Sequence, residues 1–150
     1  MLHKRQVLFL ALAALLIFGG LTTDCGGSAA GDAEHRFDMA SLADMPAEVQ
    51  SAPVTVQQAY QFAVANPDIL QKLPCYCGCG EIGHTSNYAC YVAGREADGS
   101  VKYDPHALGC SICVDITWDA MRLLKQGKSV QDIRAYVDSA YSRYGPSNMP

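Results

Sequence analysis

The sequence predicts a mostly α fold: a small helical domain with a Cys/Gly-rich loop, standing after a signal segment and a flexible tether. Three observations carry this expectation. Apolar residues recur at helical spacing in several stretches, each opened or closed by capping chemistry. No stretch alternates apolar and polar residues for long between turn signals, so strands are not expected. Of seven cysteines in 150 residues, six fall between Cys75 and Cys113, interspersed with glycines.

The N-terminus reads as an address. Lys4 and Arg5 precede an apolar run over residues 7–18 and then Gly19-Gly20. That run is too short to span a bilayer and has the length of a secretory signal core. Leu21-Thr22-Thr23-Asp24-Cys25 follows, and then Gly26-Gly27-Ser28-Ala29-Ala30-Gly31. A cysteine placed so, ahead of a flexible stretch, resembles a bacterial lipoprotein signal, although Asp24 stands where a small residue is usual. Residues 1–24 are therefore expected to be a lipoprotein-type signal peptide and Cys25 the lipidated residue, which puts the protein on the outer face of the cell membrane. The alternative is ordinary cleavage near Ser28-Ala29-Ala30, leaving a secreted or periplasmic soluble protein. Lipidation at Cys25 also accounts for the odd cysteine.

Residues 25–53, rich in Ala, Gly, Ser, Asp and Glu, read as a tether. The folded domain is expected over 54–144, with 145–150 as a tail. Thr55 with Gln58 has the form of a capping box, and Val56, Tyr60, Ala63 and Val64 then share a helical face. Asn66-Pro67-Asp68 interrupts this helix and opens another, with Asn as cap and Pro in the first turn, ahead of Ile69, Leu70 and Leu73. Ile116, Ala120, Leu123 and Leu124 form a stripe that stops at Gly127. Ser129 and Asp132 open a last helix that buries Val130, Ile133, Val137, Ala140 and Tyr141.

Composition excludes some partners. The chain has 11 Lys/Arg against 15 Asp/Glu, a formal net charge of −4. Beyond the signal segment, which holds Lys4, Arg5 and Asp24, nine basic residues face fourteen acidic ones, about −5. With no basic run, the chain is unsuited to nucleic acid, which is bound by clustered Lys/Arg.

The chemistry sits between the helices. Pro74-Cys75-Tyr76-Cys77-Gly78-Cys79-Gly80-Glu81-Ile82-Gly83-His84 is followed by Cys90, and then by His106, Cys110 and Cys113. In an extended chain alternate residues point one way, so Cys75, Cys77 and Cys79 present their sulfurs together, and the glycines let the chain curl around an ion. Asp104 as cap and Pro105 in the first turn predict one helix on which His106, Cys110 and Cys113, at i, i+4 and i+7, share a face. A helix start lowers thiol pKa, and thiolate is the form that binds metals. His35, in the tether, reads as solvated. Tyr76, Tyr88, Tyr91, Tyr103 and Trp118 read as core or as a water-excluding shell.

The PCYCGC run with His84, Cys90 and the later His106, Cys110 and Cys113 resembles the bacterial PCYCGC-motif (lipo)proteins. The resemblance covers most of the exported domain. It implies an exported, commonly lipidated protein and supplies no reaction.

Thiolate with imidazole suits Zn²⁺ or Cu(I) and disfavours Ca²⁺ or Mg²⁺. Cys75, Cys77, Cys79, His84, Cys90, His106, Cys110 and Cys113 are thus the candidate metal ligands. They suffice for two four-coordinate sites, or for one site with spare donors. A non-enzymatic protein that stores, transfers or structurally uses a metal is expected, with the membrane and a metal donor or acceptor protein as partners. The alternatives are a disulfide-stabilised domain, the usual fate of an even set of cysteines outside the cytoplasm, and a thiol-disulfide oxidoreductase. The G-x-G-x-x-G match over 78–83 lacks a preceding strand, and Cys110-x-x-Cys113 lacks a thioredoxin-like β framework. No oxyanion hole or substrate pocket is evident for hydrolysis.

Overall fold

The computed structural model describes residues 37–149. The expected signal segment, Cys25, His35 and the first part of the tether lie outside them. Five helices stand among the described residues: α1 (Ala47–Gln50), α2 (Val54–Ala65), α3 (Pro67–Leu70), α4 (Ser111–Lys125) and α5 (Val130–Tyr141). Between α3 and α4 runs an irregular segment with a short antiparallel hairpin, β1 (Val92–Arg95) and β2 (Val101–Tyr103). The mostly α expectation stands. The hairpin is an addition to it, too short to show alternation, and its Asp98-Gly99 turn is the signal that marked it. Gly99 there takes φ +87°, a left-handed conformation that suits glycine.

Packing of α2 against α4, and of α4 against α5, makes the core. Ile116, Ala120, Leu123 and Leu124 are buried as their spacing predicts, and Ile133 and Val137 face them from α5. On α2 the buried face is turned from the expected one. Ala59, Tyr60, Phe62 and Ala63 are inside, while Val56 and Val64 are only partly covered.

Helix ends explain several departures. The Thr55/Gln58 capping box does not form: α2 starts at Val54 behind Pro53, with no side-chain cap. The neighbouring Gln57 donates to the carbonyls of Gln50 (2.7 Å) and Ala52 (2.9 Å) at the end of α1. Pro67 takes the first turn of α3 as expected, but Asn66 makes no cap. Its amide donates to Asp38 O and Phe62 O, both at 2.8 Å, which ties the incoming chain to the end of α2. Two signals hold fully. Gly127 N–H reaches Leu124 O (2.9 Å) and Lys128 N–H reaches Leu123 O (3.0 Å), a Schellman closure with Gly127 at φ +73°. Ser129 and Asp132 complete a reciprocal capping box on α5.

Both expected domain borders are passed. Within 37–53, Met45 and Val49 are buried, and the Phe37 ring meets Phe62 edge-on at 4.9 Å. Ala40 exchanges hydrogen bonds with Gln61, through its own N–H (3.0 Å) and its carbonyl (2.8 Å). A few widely spaced apolar residues suffice to dock this segment, and its Ala/Asp/Glu composition concealed them. At the other end, Asn148 is bonded into the cysteine loop.

Candidate metal centre

The cysteine loop takes its shape from two glycines. Gly78 (φ +85°) and Gly83 (φ +90°) flank a 3-10 turn at Cys79–Ile82, and both conformations are left-handed. The chain therefore reverses after Cys77 instead of staying extended. Two hydrogen bonds to Asn148 anchor the segment that enters the loop. Cys75 N–H donates to Asn148 Oδ1 (2.7 Å), and Asn148 N–H donates to Cys75 O (3.1 Å).

The second ligand segment differs from its expectation. His106 lies in a separate 3-10 turn (His106–Leu108), and Gly109 breaks the chain before α4. Cys110, extended at φ −120° and ψ 99°, is the N-cap of α4, and Cys113 lies in its first turn. One continuous helix face is thus replaced by a turn and a helix start. Pro105, not Asp104, holds the N-cap position of the turn, though the Asp104 carboxylate accepts from His106 N–H at 2.8 Å. The Asp104 N–H donates to Tyr91 O (2.9 Å) and its carbonyl accepts from Tyr60 OH (2.7 Å), so the carboxylate is held firmly.

The fold brings all eight expected ligands together. Cys77, His106, Cys110 and Cys113 form one group whose donor atoms lie within 4.8 Å of one another, and Cys79, His84, Cys90 and His106 form another. Cys75 belongs with both, within that distance of Cys77 and Cys79 and of Cys90 and Cys113. The closest approaches are Cys75–Cys113 and Cys110–Cys113 at 3.3 Å, Cys75–Cys77 at 3.4 Å, Cys77–Cys113 at 3.6 Å and Cys79–Cys90 at 3.7 Å. His106 Nε2 is 3.4 Å from Cys77 Sγ. All six are free thiols.

Those separations match a metal's needs. Four sulfurs each about 2.3 Å from a zinc ion lie about 3.8 Å apart along a tetrahedron's edges. The imidazole of His84 adds a sharper indication. Its Nε2 is 3.3 Å from Asp104 Oδ2, and its Nδ1 is buried with no hydrogen-bond partner. A carboxylate on one ring nitrogen fixes the tautomer and leaves the lone pair on the other, the arrangement that supports metal-bound histidines. A buried nitrogen with no partner is costly unless something bonds to it.

Charge inside the cluster is unevenly held. Hydrogen bonds from the thiols of Cys113 and Cys90 draw Cys75 far below the ordinary thiol range, against the opposing effect of burial. Burial, together with the negative Cys75, pushes Cys77 and Cys79 up. Cys113 is raised by its hydrogen bonds to Cys75 and Cys90 and by burial. A negative charge on Cys75 disfavours ionisation of the sulfurs beside it.

Three supporting groups were not legible in the sequence. Asn87, fully buried, donates to Cys113 O (3.2 Å) and accepts from Thr117 Oγ1 (2.8 Å), and Tyr91 OH meets Thr117 Oγ1 at 2.7 Å. This seam locks the loop to α4. Asn148 also donates to Cys79 Sγ (3.4 Å) and Ser86 O (3.2 Å). Gly145 permits the approach of its segment, since a Cβ there would stand 2.9 Å from Tyr76 O. Of the aromatic residues expected inside, Tyr91 is fully buried and Tyr76 nearly so, whereas Trp118 is exposed, its indole N–H donating to Thr55 O (3.0 Å).

Fold and site define a class: a small helical domain built around a convergent set of thiols and imidazoles. The family model for proteins of unknown function with a PCYCGC motif matches residues 13–150, and the chain belongs to that family. No curated protein and no solved structure matches it.

Proposed function

We propose that the protein is an exported, lipid-anchored, non-enzymatic metal binder that holds a soft or borderline ion, Zn²⁺ or Cu(I), through its Cys/His cluster. The observation that carries this is the buried, unpartnered Nδ1 of His84 in a group with Cys79, Cys90 and His106, its other nitrogen engaged by Asp104. A disulfide scaffold gives that nitrogen nothing to do. Sulfur and imidazole are the donor set of zinc and copper(I), not of the hard ions. Such a protein stores the ion, uses it structurally, or passes it to and from a partner protein. Anchoring would follow from acylation of Cys25. No helix among the described residues is long and apolar enough to cross a membrane.

A second reading has one observation behind it. Cys110 and Cys113 stand 3.3 Å apart at a helix start, the setting of a reactive dithiol. Elemental analysis and thiol alkylation, on the full chain purified from its native compartment, separate the two. Stoichiometric metal with all six thiols alkylated after chelation supports the metal binder. Metal-free protein without free thiols sinks it. For the anchor, Cys25→Ser is expected to move the protein from the membrane fraction to the soluble one.

A further inference from the structure

We propose that the cluster is a two-ion centre, with a shielded inner ion at Cys79, His84 and Cys90, an exchangeable outer ion at Cys77, His106, Cys110 and Cys113, and the Cys75 sulfur shared between them. This deepens the metal-binding reading and rests on it.

Three features of the geometry lead there. First, one ion cannot use the donors present. A tetrahedral ion takes four ligands along edges of about 3.8 Å, and the eight donors make two groups of four that share His106, with Cys75 within reach of both. The outer group is already close to that spacing, with Cys77–Cys113 at 3.6 Å, Cys77–His106 at 3.4 Å and Cys110–Cys113 at 3.3 Å. In the inner group, Cys79 and Cys90 are 3.7 Å apart.

Second, Cys75 is the sulfur that belongs to neither group alone. It is fully buried, lies 3.4 Å from Cys77 and 3.3 Å from Cys113, and is within 4.8 Å of Cys79 and of Cys90. A sulfur flanked on two sides by ligand sets can bridge two ions, and it supplies the inner ion with a fourth donor. The His84 and His106 rings, 5.1 Å apart and edge to face, bring the two groups together on the imidazole side as well.

Third, the groups differ in exposure. Cys79, His84 and Cys90 are buried, and Asn148, in the irregular C-terminal segment, donates to Cys79. Cys77, His106 and Cys110 are each partly exposed. Cys110 borders a surface groove lined also by Thr55, Val56, Ser111, Asp115 and Trp118. Ligand exchange needs an incoming donor to reach the ion, so the outer position, with three partly exposed donors, is the more open to a chelator or to the thiols of a partner, while the inner one meets a surface groove only at His84.

The test uses the full chain, reduced and titrated with Zn²⁺, followed by native mass spectrometry and by the rate of zinc loss to excess EDTA. Two ions are expected, leaving in two phases with rates differing by about tenfold or more. Cys110→Ser should remove the fast phase and reduce the stoichiometry to one, leaving the slow phase intact. Serine is a favoured N-cap, so this variant keeps the start of α4. Cys75→Ser should accelerate both phases. Saturation at one ion, a single rate for two ions, or loss of both ions in Cys110→Ser overturns the two-ion centre. Failure of the native chain to bind any Zn²⁺ overturns the metal-binding reading itself.

Discussion

Helices α2, α4 and α5 bury Phe62, Ile116, Leu124, Ile133 and Val137 against one another, whereas the segment between α3 and α4 buries thiols, an imidazole and an amide. In the helical half, apolar burial does the work, at roughly 25 cal/mol for each Å² removed from water. The other half buries Leu73, Tyr91 and Val92 as well, but sets thiols and an imidazole beside them. Five close sulfur–sulfur contacts and one unpartnered nitrogen stand where a core would be. The first half is held by its own chemistry. The proposed cation would act on the second alone, so the two should respond differently to the same perturbations.

The largest expected effect lies in the helical half. Ile133→Ala should cost about 2–5 kcal/mol, the usual range for truncating a buried branched side chain. Urea unfolding should report the same loss with Zn²⁺ and with EDTA. A loss that vanishes on adding metal would mean that the halves are not independent.

Metal itself should come next. Zn²⁺ at a hundred times its dissociation constant should stabilise the native chain by about 2.7 kcal/mol, removed again by chelation. This effect should depend on pH, with a definite sign. Cys77 and Cys79 are pushed above the ordinary thiol range, so without metal they carry protons at neutral pH. Binding must expel these protons, and the stabilisation should therefore grow between about pH 6 and pH 8. Calorimetry in two buffers of different ionisation heat would measure the release. A pH-independent gain would exclude the thiols as ligands.

Thr117→Val tests the seam between the halves. It strips Asn87 and Tyr91 of a shared partner at a fully buried position and should cost about 1–3 kcal/mol by denaturant unfolding. Because Cys113 sits on the same seam, zinc loss should also quicken, which a purely structural defect in the helical half would not cause. The smallest effect is expected farthest from the site. Ser129→Ala removes one side of the α5 capping box and should cost about 1 kcal/mol with no change in zinc affinity.

Legibility followed the range of the interactions. The Schellman closure at Gly127, the box at Ser129 and Asp132, and the stripe on α4 were readable because each is settled within one or two turns of chain. Thr55 and Asn66 misled for the complementary reason. Each has the chemistry of a cap, but α2 begins one residue before Thr55, behind Pro53, and the Asn66 side chain turned to Asp38 and Phe62. The identity of all eight candidate ligands was visible in their spacing. Their arrangement was not, because Gly109 separates His106 from α4 and the single helix face expected there does not exist.

Residue types and local spacing, then, determined the helices, the donor set and the kind of ion it suits, since these depend on neighbours in the chain. The tertiary fold decided how the donors divide. Cys75 came to stand between two groups, His84 was turned so that Asp104 takes one nitrogen and leaves the other free, and Asn148 was laid over Cys79. These meetings pair residues far apart in the chain: His84 and Asp104 by 20 positions, Cys75 and Cys113 by 38, Cys79 and Asn148 by 69. No periodicity encodes such a meeting; it exists only once the helical half has packed and brought the two ends of the loop together.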